Sequence, residues 1–130
     1  DVYSRWAWAD IVEKINTHAS IRFIKEAQIN TPFTFKTLQS DHGSEFSTYF
    51  TSNIGVPHRH IHVRSPNENG HLERFNRTIQ EECFSRVSRS PDAYKKALPE
   101  YLRYYNYERM HMGIEFKKPV ELTKCSEAID

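Results

Sequence analysis

Two acidic residues in this chain stand where their neighbours could give them a job. Asp41 closes the stretch Thr37-Leu38-Gln39-Ser40 and runs into His42-Gly43, so it sits at the end of a strand and the start of a turn. In open α/β sheets, sites collect at the carboxyl ends of strands, which suits Asp41. Glu73 follows after thirty-one residues, in the first turn of a helical pattern that opens behind Pro66, Asn67, Asn69 and Gly70. Leu72, Phe75, Ile79 and Cys83 recur there at three- and four-residue steps as one apolar stripe, and Glu73 lies beside it, favoured by the positive end of the helix dipole. Both acids have plainer readings: Asp41 as a helix cap, although Ser44 is available for that, and Glu73 as the partner of Arg77. His58, His60 and His62 alternate along another short strand and share one face. Alternate strand residues lie about seven ångströms apart, too far for all three to reach one tetrahedral zinc, so the reading is a half-exposed strand beside a site. No Ser/His/Asp or Cys/His set offers a nucleophile.

The two acids lie in two ordered motifs, Ser40-Asp41-His42-Gly43-Ser44-Glu45-Phe46 and Pro66-Asn67-Glu68-Asn69-Gly70-His71-Leu72-Glu73-Arg74-Phe75-Asn76-Arg77. Together they resemble the catalytic core of bacterial insertion-sequence transposases and retroviral integrases. The resemblance covers most of the chain. It implies an α/β, ribonuclease-H-like fold, a mixed sheet flanked by helices, in which two aspartates and a glutamate hold two Mg²⁺ or Mn²⁺ ions. By motif, Asp41 matches the second aspartate and Glu73 the glutamate, both catalytic and metal-binding. Arg74, Asn76, Arg77 and His71 match or adjoin positions that face DNA. Tyr105-Asn106-x-x-Arg109-x-His111, with Pro119 and Glu121, resembles the segment that closes many transposase cores. Three features depart from the family's pattern. Gln80 stands where retroviral cores carry a basic residue, Met110 where the closing segment has Pro, and the Asp41–Glu73 interval is about one helical turn short.

The Asp1-Val2-Tyr3-Ser4-Arg5 segment resembles the family stretch that closes the second strand and opens the third. The family's first catalytic aspartate therefore belongs upstream of this chain, and Asp1 is not a ligand. The first strand and most of the second are expected to be absent. Unpaired strand edges would then keep these residues from forming a well-behaved monomer or acting alone.

Other elements must position the two acids. Trp6 to Val12 alternates around aromatics as a strand after a turn at Ser4-Arg5. Asn16 or Thr17 caps a helix to about Ala27, with Ala19, Phe23 and Ala27 on one face, and Pro32 follows the break. Phe33 to Gln39 reads as a strand delivering Asp41 to a turn that Gly43 permits. Ser44 to Asn53 is a short helix ending at Gly55, the natural place for the missing turn. Ser90-Pro91 opens a helix whose buried stripe is Tyr94, Ala97, Leu98, Tyr101 and Tyr105, with Pro99 kinking or splitting it.

The bounds agree with this reading. The chain has 130 residues, enough for one domain with a single core, assigned to 1–122 with a loose tail at 123–130. A formal net charge of +1 does not by itself announce a nucleic-acid partner. The two cysteines, Cys83 and Cys125, lack metal-ligand spacing and point to a reducing compartment. The expectation is a DNA transposase or integrase core, a polynucleotidyl transferase performing end cleavage and strand transfer. It would act as a homo-oligomer on element ends and target DNA, in the bacterial cytoplasm near the nucleoid, away from any membrane. Two rivals are an inactive element fragment that binds nucleic acid or a partner, and a ribonuclease-H-like nuclease without strand transfer.

Overall fold

A computed structural model describes residues 1–61 and 70–123. The elements are α1 (Thr17–Ile29), β1 (Leu38–Ser40), α2 (Thr48–Asn53), β2 (His58–His60), α3 (Gly70–Glu82) and α4 (Pro91–Tyr107). Short 3₁₀ turns lie at Ser44–Phe46, Phe84–Arg86 and Met112–Ile114, and a helical turn covers 119–123. The chain divides into two compact units, Val12–Glu73 and Asp1–Ile11 with Arg74–Asp130. The expected single core is accordingly two apolar clusters.

In the unit Val12–Glu73, α1 starts where Asn16 Oδ1 accepts from the Ala19 N–H at 2.8 Å, so Asn16 is the cap. Its buried face is Ile21, Ile24 and Ala27; Ala19 and Phe23 flank that face rather than centre it. Ile21 and Ile24 pack with Phe50, Ile54 and Val56, and Phe23, Phe35, Leu38 and Phe46 cover the cluster. The sheet described here is one parallel pair in the register Leu38↔His58, Gln39↔Arg59, Ser40↔His60. Only the last two residues of the expected Phe33–Gln39 strand join it. The Leu38 N–H donates to the Pro57 carbonyl at 2.8 Å, and Pro57 has no N–H to return, so the ladder starts there. The expected Ser44–Asn53 helix is broken into the 3₁₀ turn and α2, because Ser47 is extended (φ −73°, ψ −177°). Gly55 follows α2 with φ +69°, a conformation that glycine adopts without strain.

In the second unit, Ile79, Cys83, Leu98, Tyr101, Leu102 and Tyr105 form the core between α3 and α4. Leu72, expected in the α3 stripe, is exposed. Helix α4 opens with Ser90 Oγ accepting from the Ala93 N–H at 3.1 Å and continues through Pro99 as one helix. Glu82 accepts two bonds from Arg109, at 2.9 and 2.7 Å, and one from the Tyr101 hydroxyl at 2.8 Å. Trp6 to Val12 forms no strand. Instead, the buried Asn106 side chain accepts from the Ala7 N–H and donates to the Ala7 carbonyl, both at 2.8 Å, and so occupies the groups a strand partner would use. The Asp1 carboxylate is engaged by the N–H and hydroxyl of Ser4, holding the turn expected at Ser4-Arg5. Leu122 and Thr123 are buried. The Pro66–Asn69 turn, His62 and the tail beyond Thr123 lie outside the described residues.

Candidate active site

Asp41 directly follows β1 and is exposed. Its Oδ1 accepts from the Gly43 N–H at 2.8 Å. The local turn therefore uses Asp41 itself, while Ser44, the alternative cap, makes no capping bond there. One carboxylate oxygen is committed and the other retains its lone pairs. Gly43 has an ordinary φ of −59°, so the turn does not require left-handed backbone, contrary to expectation. A Cβ at Gly43 would lie 2.7 Å from the Glu45 carboxylate, which folds back over the turn and, as the free end of a flexible side chain, would have to swing aside. Glu45 was not singled out from the sequence. The signal available was an acid two residues beyond the glycine of a strand-ending turn.

Imidazoles brace this turn. His58 Nε2 lies 2.6 Å from Ser40 Oγ, and His58 Nδ1 lies 2.7 Å from Thr51 Oγ1. Ser40 Oγ also donates to the Asp41 carbonyl at 3.0 Å. Ser40 Oγ spends its proton on the Asp41 carbonyl, so Nε2–H donates to Ser40, and a neutral ring accepts at Nδ1 when the Thr51 hydroxyl turns to it from the Ser47 carbonyl 3.3 Å away. Burial, and secondly the charge of His60, holds the His58 pKa below its ordinary value. His42 Nε2 donates to the Ile61 carbonyl at 2.8 Å, and His60 Nε2 donates to the Phe46 carbonyl at 3.0 Å. The rings of His42 and His60 stack with centroids 4.8 Å apart, and those of His58 and His60 lie 4.6 Å apart. These rings tie β1, β2 and the turn after Asp41 together.

Glu73 occupies the first turn of α3 and is exposed, with no ion-pair partner among the described residues. Its expected pairing with Arg77 is not found among the described residues. His71, Arg74, Asn76 and Arg77 are likewise exposed on α3. Asp41 and Glu73 both fall in the unit Val12–Glu73. Among the described residues no group of three or more His, Cys, Asp or Glu side chains is arranged to hold a metal. Two exposed carboxylates are nevertheless the donor chemistry that Mg²⁺ accepts, since it often takes one or two carboxylates and completes its shell with water and substrate phosphate.

An open groove of about 850 Å³ lies elsewhere, lined by residues including Glu82, Tyr101, Tyr104, Arg109 and Met110. Its central charges already neutralise each other: Arg109 holds the Glu82 carboxyl below its ordinary pKa. No helix among the described residues is long and apolar enough to cross a membrane.

Comparison with known proteins gives three findings. The family model described as integrase core domain matches residues 54–119, a stretch that includes Glu73 and the closing Tyr105–Pro119 segment and begins after Asp41. A protein of Spiroplasma virus SpV1-C74 that carries the provisional name integrase ORF3 is 26% identical over 145 residues. That alignment covers 92% of this chain and 39% of the viral protein, so the chain spans about two fifths of the curated relative it matches. The crystal structure of the catalytic core domain of BIV integrase superposes with a TM-score of 0.66 at 20% identity, covering 97% of this chain and 82% of that one. That likeness establishes the fold as the ribonuclease-H-like architecture of integrase catalytic cores.

Proposed function

The chain belongs to the integrase core domain family, and from that premise we propose that it is the catalytic part of a DNA transposase or integrase of insertion-sequence type. In this reading it cleaves the ends of an element and joins them to target DNA in the cytoplasm, as a homo-oligomer. The observation that carries the reading is the family match through the Glu73 motif, with Asp41 at the carboxyl end of β1 in the same compact unit as Glu73. Asp41 and Glu73 would be the residues of this chain that hold divalent metal. A pair of Mg²⁺ or Mn²⁺ ions, when bound, supplies Lewis-acid stabilisation to the attacking and leaving oxygens of an in-line phosphoryl displacement.

The remaining work belongs to the chain's own residues. Asp41 keeps one oxygen in the turn and offers the other, and the Ser40–His58–Thr51 bonds hold its main chain still. Glu73 sits in the first turn of α3, at the positive end of the helix dipole, a favourable place for a carboxylate. His71, Arg74, Asn76 and Arg77 are exposed on α3 and contact DNA, the arginines by charge-assisted bonds to phosphate. In the first step a water oxygen bonds to phosphorus as the leaving 3′-oxygen departs with a proton. In the second, that 3′-hydroxyl oxygen bonds to a target phosphorus and gives up its proton, and the displaced 3′-oxygen of the target leaves as a hydroxyl.

The test uses the full-length protein. Glu73→Gln keeps size and hydrogen bonding and removes the charge. It should leave the circular dichroism and melt unchanged while Mn²⁺-dependent cleavage of element-end DNA falls to background. Wild-type cleavage rates from the Gln variant would remove Glu73 from the site. Cleaved but never joined products from the wild type would make it a nuclease.

A further inference from the structure

The three non-glycine residues with left-handed backbone among those described meet at one loop. They are Arg5 (φ 66°), Glu115 (φ 59°) and Phe116 (φ 61°). Glu115 and Phe116 are consecutive, and the Arg5 guanidinium packs so close to Gly113 that a Cβ there would lie 3.2 Å from it. This conformation is disfavoured for L residues, most of all for bulky ones, and it persists only where the surroundings over-determine it. Here they do. His111 and Lys117 form an antiparallel bridge, and the His111 N–H reaches the Lys117 carbonyl at 3.0 Å. The Phe116 N–H returns to the His111 carbonyl at 2.8 Å. Ile114 and Pro119 are buried and anchor the loop from below.

What this rigid loop presents is apolar and in water. Phe116 is 61% exposed and Met112 78% exposed. An aromatic ring normally gains by burial, so a backbone fixed in a disfavoured conformation with its ring outward is pre-organised for something that covers it. Charge indicates what that is. Arg5, packed on Gly113, and Lys117 and Lys118 at the end of the loop outnumber the carboxylates of Glu115 and of Glu121, whose Oε2 accepts from the Lys118 N–H at 2.7 Å. A flat apolar face ringed by cations fits a polyanion that itself carries flat apolar faces.

We propose that the loop from His111 to Lys118 is a stacking contact for unpaired nucleotides of the DNA substrate, with a base on Phe116 and the adjoining phosphates on Lys117 and Lys118. The proposal rests on the reading of the chain as a DNA-acting core, and it adds a contact separate from Asp41, Glu73 and the α3 residues. Unpaired nucleotides are specified because a base inside a duplex has no free face to stack.

The experiment measures binding of the full protein to a labelled single-stranded oligonucleotide and to the duplex of the same sequence, by fluorescence anisotropy. Phe116→Ser should weaken single-strand binding about tenfold while duplex affinity stays within about twofold, and Phe116→Trp should restore it. Lys117→Gln with Lys118→Gln should weaken both and flatten the dependence of log affinity on log salt, by about 0.7 per contact for the single strand. Circular dichroism and melting of each variant confirm folding, which the exposure of Phe116 predicts to be intact. Unchanged single-strand binding by Phe116→Ser, while the wild type binds and cleaves duplex DNA, overturns this contact and leaves the catalytic reading standing. A Phe116→Ser protein altered in sedimentation but not in DNA affinity also overturns it, assigning the loop to a second copy of the chain. A wild type that binds neither DNA overturns both.

Discussion

The Glu82 carboxylate collects three donors, two from the Arg109 fork and one from Tyr101, and Arg109 also lies 5.7 Å from the Tyr105 ring centre. Such a partly buried bidentate pair is stronger than an exposed ion pair, and breaking it leaves Glu82 under-satisfied. Arg109→Met should therefore cost about 2 kcal/mol in a denaturant melt, and Arg109→Lys should recover only part, because an ammonium cannot reproduce the fork. At this scale the sequence was uneven. Asp41 and Glu73 were legible as candidates because two motifs in fixed order frame them. The place of the Glu45 carboxylate was not, since no pattern announces that a glutamate two residues on will fold back over the α-carbon of Gly43. Glu82 was equally silent: Arg109 stood out by motif, but its acid lies twenty-seven residues away and meets it only through the packing of α3 on α4.

Helix ends were the most readable elements. Asn16 and Ser90 cap where their chemistry says they should, because a cap is a local bond that the neighbouring residues decide. Strands were over-read, since β-propensity reports a willingness to pair and not the presence of a partner. Phe33 to Thr37 has the composition of a strand and meets no ladder, and Trp6 to Val12 meets a side chain instead. Pro99 was expected to kink or split α4, and the helix runs through it from Pro91 to Tyr107. It therefore carries a missing N–H in its interior while the flanking Leu98, Tyr101 and Leu102 hold it in place by burial. Pro99 itself is exposed, so Pro99→Ala should remove the defect without opening a cavity. A gain of up to about 3 kcal/mol is expected, read as a higher melting temperature; a loss would mean that α4 uses the proline's shape.

Acid should weaken the molecule in two stages. The His58 and His111 pKa values are both held below the ordinary 6.5, chiefly by burial. The unfolded chain therefore takes up their protons first. Their contribution is intact above pH 6.5 and declines as pH falls through 6.5 toward the folded values. Glu82 adds a second stage. Its pKa is held below 4.5, chiefly by the Arg109 hydrogen bonds, so its stabilisation is present above 4.5 and is lost as pH falls through its folded value. Melting temperatures should fall below pH 6.5 and fall again below 4.5. His111→Gln should blunt the first fall, and Arg109→Met the second.

The pairing of Asn106 with Ala7 joins residues ninety-nine positions apart and carries a lesson about heritable variation. A backbone ladder is blind to side chains, so a strand partner for Ala7 could drift through almost any residue without losing the bonds. Here one side of the joint is written in main chain and the other in a side chain. Position 7 can change without touching these bonds, proline excepted for want of an N–H, within the room left by the core it packs against. Position 106 is confined to a group that donates and accepts at the same reach, which makes even Asp a misspelling. The chain has thus moved an instruction usually stored in geometry into a single codon.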